Sequence, residues 1–309
     1  MNSTARRLVS VGNVIVDLAL QVDAVPERGG DVLANRSDVT PGGSFNVLVA
    51  ATRQGLRSAY AGATGTGPFG DLVRAGLRDE SIEVLLPASR DLDTGYDVAI
   101  TEADGERRFL TAFGAEASLT EDQLAAVELQ AGDLVHVSGY GLLARTNADV
   151  IPAWLLGLRP EHPVLVDPGP LVDDIGDGML QVVLERADWL SCNEREASVM
   201  TGKRSARHAA QVLAVRYEVG VVVRTGPHGC VLVSEGVTTA VPGFRVDVVD
   251  TNGAGDAHVG AFLAGLAADL APVEAARRAN AAAALAASRP GPATAPTSIE
   301  TDAFLAARS

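Results

Sequence analysis

The sequence predicts an α/β protein built on a mostly parallel sheet with helices on both faces. Short β-branched runs alternate with Ala- and Leu-rich stretches of helical period along most of the chain. The runs are apolar nearly throughout, as strands buried on both faces should be. Apolar residues make up 47% of the 309, enough for one large core, and charged residues 21%, too few for a disordered acidic tail.

In chain order, strands are expected at 8–16, 58–61, 134–138, 164–167, 188–191 and 219–224. Helices are expected at 45–55, 69–79, 120–127, 149–158, 193–201, 205–217, 255–270 and 272–288. Segments 31–39 and 96–113 break the rhythm, reading as strands with no helix between them. Asp104-Gly105 sits between 96–103 and 107–113, a hairpin signal. These pieces predict a small antiparallel sheet beside the main one, placed as a lid over a cleft mouth. Residues 231–234 and 237–241 flank Glu235-Gly236 and read as a second hairpin. No internal repeat is visible, and 289–296 reads as a loop.

Net charge is −14 and the one lysine is Lys203. Such a chain repels nucleic-acid backbones and anionic membranes, so neither is expected as a partner. Cys192 and Cys230 form no CxxC or metal-type spacing and read as buried thiols in a reducing cytosol, which gives a cytoplasmic placement. Near the N-terminus, Asn13 and Asp17 interrupt the apolar stretch and no small-residue cleavage pattern follows, so a first strand is expected there rather than a leader. No run approaches the roughly 20 apolar residues that span a bilayer.

The most informative segment is 250–263, DTNGAGDAHVGAFL. It follows a β-rich run at 246–249 and opens an Ala-rich helix. Gly253, Ala254 and Gly255 let backbone approach a ligand, and their N–H groups with the helix dipole make an anion site. Asp256, directly after it, suits removal of a proton from an attacking hydroxyl, and phosphoryl transfer needs that pairing of anion cradle and oriented nucleophile. Alone, the same residues are also a Gly-rich turn with Asp256 as a helix cap. A second motif is Pro41-Gly42-Gly43-Ser44-Phe45-Asn46, with Gly55 and Gly65 at set spacings. Its Gly pair allows a ring to lie against backbone, and the Asn46 amide both donates to and accepts from hydroxyls. As a helix cap, Asn46 would need no ligand. Asp17 is expected to end the first strand, where ligands of open α/β sheets bind. Asn193 and Glu196 follow a strand and open a helix, a spacing that is also a capping box. GxxxxGK[ST] is absent.

Residues 250–263 match the C-terminal signature of the PfkB/ribokinase carbohydrate kinase family at each constrained position. Gly42, Gly43, Asn46, Gly55 and Gly65 resemble its N-terminal signature, with Ser44 and Leu48 departing from it. The resemblance covers nearly the whole chain in the expected order. It implies a ribokinase-like three-layer αβα sandwich with a small β lid, 1–309 as one kinase domain and about 31–39 and 96–113 as the lid. It implies an ATP-dependent kinase of a small sugar or sugar acid of the ribose, fructose or ketodeoxygluconate class. Asp256 would be the base and Gly253, Ala254 and Gly255 the anion hole, with Asp17, Gly42, Gly43 and Asn46 binding the sugar. Asn193 and Glu196 resemble the family's NxxE motif, with Glu196 acting on Mg²⁺ through water. Thr225, Gly226 and Gly229 resemble its nucleotide loop, and Asn280 stands where a family helix borders adenine. Asp250 and the Asn252 carbonyl, with the loop at Gly291, occupy the place where relatives hold a monovalent cation such as K⁺. Pairing of lids implies a homodimer. Asp167-Pro168 resembles a strand-end motif of the family. His136 and His258 read as packing residues, and Arg107 and Arg108 as lid charges. Two alternatives stay open: a nucleoside kinase in which Phe45 stacks on a base, and an inactive sugar- or nucleotide-sensing module.

Overall fold

The computed structural model describes residues 6–103 and 107–308. From the N-terminus come β1 (Arg7–Val11), β2 (Val14–Gln21), β3 (Arg36–Gly43), α1 (Ser44–Arg53), β4 (Arg57–Tyr60), α2 (Pro68–Asp79) and β5 (Glu83–Val84). Then follow β6 (Tyr96–Thr101), β7 (Arg107–Ala112), α3 (Glu121–Ala125), β8 (Leu134–Ser138), α4 (Gly139–Leu143), α5 (Arg145–Leu156), β9 (Val164–Asp167) and α6 (Asp177–Arg186). The rest runs β10 (Trp189–Asn193), α7 (Glu194–Thr201), α8 (Ala206–Tyr217), β11 (Gly220–Arg224), β12 (Gly229–Ser234), β13 (Val237–Pro242), α9 (Ala254–Ala267), α10 (Pro272–Ala287) and α11 (Ser298–Ala306).

The main sheet has the order β13-β12-β11-β10-β9-β8-β1-β4-β5. It is parallel from β11 to β5, and β12 and β13 add antiparallel at one edge. Successive strand residues serve opposite faces. Leu8, Leu134, Leu165 and Val222 join one core with residues of α1, α9 and α10, while Val9, Val135, Val166 and Val221 join another with residues of α5, α6 and α8. That is why the strands are apolar throughout. The chain enters at β1, builds outward to β4 and β5, then returns to build from β8 on the other side. The crevice at such a reversal, outside the carboxyl ends of the strands, is where ligands of these sheets bind.

The smaller sheet has the order β3-β2-β6-β7. β2 pairs antiparallel with β3 and parallel with β6, and β6 pairs antiparallel with β7. Its composition corrects the expected single strand at 8–16. The chain leaves the main sheet at Gly12, whose Cα lies against the Ser44 hydroxyl, and enters the smaller sheet at Val14, whose N–H donates to Tyr60 Oη (3.0 Å). Both halves are buried and apolar, so hydrophobicity does not mark the break. The strand expected at 31–39 begins only at Arg36 and runs on to Gly43. The Asp104-Gly105 turn lies outside the described residues. Residues 246–249 form no strand, and Val248 and Val249 are exposed. The second hairpin forms as expected, with Glu235 and Gly236 both at positive φ between β12 and β13. α6 and α11 were not foreseen, although Thr297 and Glu300 form a capping box at the start of α11. Both cysteines are buried free thiols, and burial raises the pKa of each. No helix among the described residues is long and apolar enough to cross a membrane.

Candidate active site

Several strand ends converge at the crevice. Ser138 of β8 and Asp167 of β9 are register partners, as are Asn193 of β10 and Arg224 of β11. Over them stands the first turn of α9. Gly253 caps that helix in the left-handed region (φ 73°), a conformation that favours glycine. Asp256 lies in the first turn, where its carboxylate accepts from Asn46 Nδ2 of α1 (3.2 Å). The two helices meet this closely because Gly260 has no Cβ: one built there would lie 2.5 Å from the Val47 carbonyl of α1. Burial, with Asp167 nearby, raises Asp256 to about 6, against the Asn46 hydrogen bond and Arg224. Asp256 is therefore ionised at neutral pH with little protonic reserve, as a general base requires. Of the three residues expected to form an anion hole, Ala254 already donates its N–H to Thr251 O (3.3 Å), while Gly255 faces the Arg224 guanidinium.

On one side of Asp256 lies a cluster of acidic groups. Asp17 does not end the first strand of the main sheet. It sits within β2 of the smaller sheet, opposite Asp97 of β6. Burial first, then Asp97 and Asp256, raise Asp17 to about 8, and burial raises Asp97 to about 6. Gly42 lies directly against the Asp17 carboxylate, so a Cβ there would displace it. Its role is thus to admit Asp17 rather than to face a ring. Gly43 (φ 63°) packs on the Asn13 carbonyl, and its neighbour Ser44 donates to that oxygen (2.8 Å). The Asn46 carbonyl oxygen is buried without a partner. Tyr140, raised to about 12 by burial and by Asp97, Asp256, Glu196 and Asp17, adds a phenol to the same space. Phe45 is buried in the core against Pro41 and Gly76 of α2, so the expected base stacking is not available to it.

On the other side is a cavity of about 610 Å³. Gly226, Pro227 and Gly229 line one wall, Phe244, Val246 and Val248 another, and Ala283, Ala284 and Ala287 of α10 a third. Asn193 and Gly255 also line it, whereas Thr225 and Glu196 do not. Asn280 lines it, but its amide is already in use. Nδ2 donates to the Val241 and Pro242 carbonyls (both 3.1 Å), and Oδ1 pairs with His258 Nε2 (3.2 Å). That arrangement fixes His258 with its proton on Nε2, and burial lowers it to about 3, so the ring is neutral. Asn280 and His258 hold this wall in shape. His136 is likewise a core residue, bonded to Ser10 Oγ (2.9 Å).

Arg224 went unnoticed in the sequence. Its guanidinium donates to Asp167 (2.9 Å) and Ser191 (2.7 Å) and lies 3.6 Å from Glu196. Burial opposes its charge, but Asp167 and Glu196 outweigh this and hold its pKa above the usual value. Burial and Asp167 push the Glu196 carboxyl up, although it accepts from the Asn193 N–H (2.7 Å) and side-chain amide (2.6 Å). Two carboxylates, one buried and one half-buried, thus share one arginine beside the first turn of α9. This excess negative charge on oxygen donors fits Mg²⁺, which binds through one or two carboxylates plus waters and phosphates. No all-protein cage of three or more His, Cys, Asp or Glu is present among the described residues. Asp250 accepts from the N–H groups of Asn252 (2.9 Å) and Gly291 (3.1 Å), which brings together the three parts named for a monovalent cation.

Comparisons with known proteins give the family and the fold. The sequence profile of the pfkB family of carbohydrate kinases matches residues 5–299. The chain is 30% identical over 286 residues to the uncharacterized sugar kinase YegV of Escherichia coli (strain K12), covering 91% of this chain and 88% of that one. It is 31% identical over 320 residues to the ATP-dependent ribose-1-phosphate kinase of Halopiger xanaduensis, covering 98% and 99%. Its fold matches a ribokinase structure from Thermotoga maritima with a TM-score of 0.81 at 24% identity, over 97% and 99% of the two chains. The chain belongs to the pfkB family of carbohydrate kinases. It is an ATP-dependent phosphotransferase with an alcohol group as acceptor.

Proposed function

We propose, from this family membership, that the chain moves the γ-phosphoryl group of ATP onto a hydroxyl of a small sugar of the ribose, fructose or ketodeoxygluconate class, with Asp256 as base. The observation that carries this reading is the position of Asp256. It stands in the first turn of α9, held by Asn46, with a cluster of acidic groups on one side and Arg224 and the cavity on the other. The acceptor lies against Asp17 and Asn46, and ATP fills the cavity from Gly226 to Ala287. The first-turn N–H groups of α9 and Arg224 receive charge developing on the transferred group. Mg²⁺, when bound with ATP, neutralises phosphate charge, and Glu196 and Asp167 would hold its waters. Asp250, the Asn252 carbonyl and the loop at Gly291 would hold K⁺ where one is bound, and the bonds Asp250 makes to Asn252 and Gly291 already clasp the two loops.

The acceptor side is tested with Asp17→Ala. The acceptor KM is expected to rise roughly 100-fold while the ATP KM stays within about twofold, because a polar site left unpaired discriminates strongly. An equal rise in both would make Asp17 structural. Stability supplies a separate check. The folded pKa of Asp17 is raised to about 8 from 3.8. The folded state therefore binds the proton more tightly than the unfolded chain, and Asp17's contribution falls as pH rises from about 4 through 8. At pH 8–9 the variant should melt no lower than wild type.

We propose the smaller sheet as a lid. Its edge strands β3 and β7 expose Val39, Phe109 and Leu110, with Phe113 just beyond, an unpaired apolar margin suited to a second copy of the chain. Replacing 98–109 with a Gly-Ser linker should leave the main sheet folded and ATP bound. Transfer should fall tenfold or more relative to ATP hydrolysis, and the dimer should become a monomer. Global unfolding would place the segment in the core, and unchanged transfer would mean that something else closes the cleft. A cytoplasmic setting, supported by the buried thiols, completes the reading, with no nucleic-acid or membrane partner for a chain of net charge −14.

A further inference from the structure

The acceptor side holds a second carboxyl group, Asp97, beside Asp17. Asp17 and Asp97 occupy paired positions on adjacent parallel strands, so their side chains share one face of the smaller sheet. Beside them on that face, Ala19 pairs with Ala99, two side chains too small to fill the space. Asp97 Oδ1 is buried with no hydrogen-bond partner. So is Oδ1 of Asn46, a residue only 5% exposed, whose Nδ2 meanwhile holds Asp256. Asn46 holds Asp256 and Asp97 stands opposite Asp17, so these unpaired acceptors belong with the group Asp17, Asp97, Asp256 and Tyr140. All four belong to one electrostatic set, since Asp17 senses Asp97 and Asp256, and Tyr140 senses all three.

No compensating cation is paired with Asp17 or Asp97 among the described residues. Arg224 is committed to Asp167 and Glu196. On the smaller sheet, Arg36 pairs with Asp38 and Arg108 with Glu102.

We propose that Asp97 is a specificity-determining residue of the acceptor site, and that with Asp17 it restricts the acceptor to uncharged polyhydroxy sugars, excluding sugar acids and sugar phosphates. Adjacent strands lie about 4.8 Å apart, so two carboxyl groups at paired positions can meet neighbouring hydroxyls of one ring. Each hydroxyl has a proton to donate, and the unpartnered oxygens of Asp97 and Asn46 have only acceptor capacity to offer. A carboxylate or phosphate on the acceptor brings no donor and adds like charge in a partly desolvated pocket, which builds discrimination through repulsion. The inference rests on the phosphotransfer reading and narrows its acceptor, dropping the sugar acids.

The experiment compares wild type, Asp97→Asn and Asp97→Ala on neutral pentoses and hexoses, their aldonic acids and their 1-phosphates. Wild type should favour its best neutral sugar over the matching acid and phosphate by roughly 100-fold or more in kcat/KM. Asp97→Asn keeps the shape and removes the charge. It should raise the neutral-sugar KM roughly tenfold at unchanged ATP KM, and narrow the discrimination against anionic sugars by a similar factor. Asp97→Ala should raise the neutral-sugar KM at least as much. Binding of the same sugars to Asp256→Asn protein, measured by calorimetry, reads the preference without turnover. The inference is overturned if an acid or phosphate binds and reacts as well as its neutral counterpart, or if Asp97→Asn leaves both acceptor KM and selectivity unchanged. If no sugar of either kind is phosphorylated although ATP binds, the phosphotransfer reading itself falls, and this inference with it.

Discussion

Asp256→Asn should fold, bind ATP and lose about 10²–10⁴-fold in kcat, the usual contribution of a general base. The amide keeps the shape, and the bond from Asn46 Nδ2 can still be accepted by its carbonyl oxygen. What disappears is the ability to take the acceptor's proton. The loss should fall on kcat more than on either KM, since the interaction matters mainly in the transition state. The native enzyme should reproduce part of this loss on acidification. With Asp256 raised to about 6, its ionised fraction falls as pH drops through that value, and the rate should fall with it. The substituted enzyme should lack that limb. Steady-state rates from pH 5 to 9, with ATP binding measured separately, check both statements.

Arg224→Met should be the most damaging single change to stability, costing about 3–5 kcal/mol, as breaking a buried ion pair does. Arg224 is the shared counter-ion of Asp167 and Glu196, whose side chains are 15% and 2% exposed. Without it, both carboxylates remain buried with no positive partner, and Ser191 Oγ loses its bond to the guanidinium. Because Glu196, already pushed up by burial, would then gain from protonation, the deficit should shrink as pH is lowered from 8 to 6. Thermal or urea unfolding at several pH values measures it. A melting temperature within a degree of wild type at pH 8 would show that Arg224 is not the charge that holds this corner together.

How far the sequence could be read follows from which signals are local. The parallel sheet was legible because strands such as β8 and β11 are unbroken apolar runs flanked by helical stretches, and burial on both faces leaves that trace. The turn at Gly253–Asp256 was legible because its geometry depends on consecutive small residues and a helix start. The break at Gly12-Asn13 was not, because residues on both sides are equally apolar and only tertiary pairing sends them to different sheets. Asp17 was singled out as a carboxylate at the site but assigned to the wrong sheet for that reason. Asp97 was passed over because the hairpin reading gave its strand without saying which face meets the crevice. Arg224 was invisible because its partners, Asp167, Ser191 and Glu196, lie 57, 33 and 28 positions away and meet it only through strand register and the turn into α7. Asn280 shows the converse: a helix position near the nucleotide was anticipated, but its amide is consumed by two carbonyls and His258.

The measurement that bears most directly on Asp256-assisted transfer follows ADP and phosphorylated acceptor together by ³¹P NMR. Wild type and Asp256→Asn are run side by side with ATP, Mg²⁺ and a neutral sugar between pH 5 and 8. Wild type is expected to make ADP and sugar monophosphate in equal amounts, with a rate that falls below about pH 6, while Asp256→Asn stays slow at every pH. Free phosphate in place of sugar phosphate, or an Asp256→Asn protein that keeps pace with wild type, would contradict that chemistry.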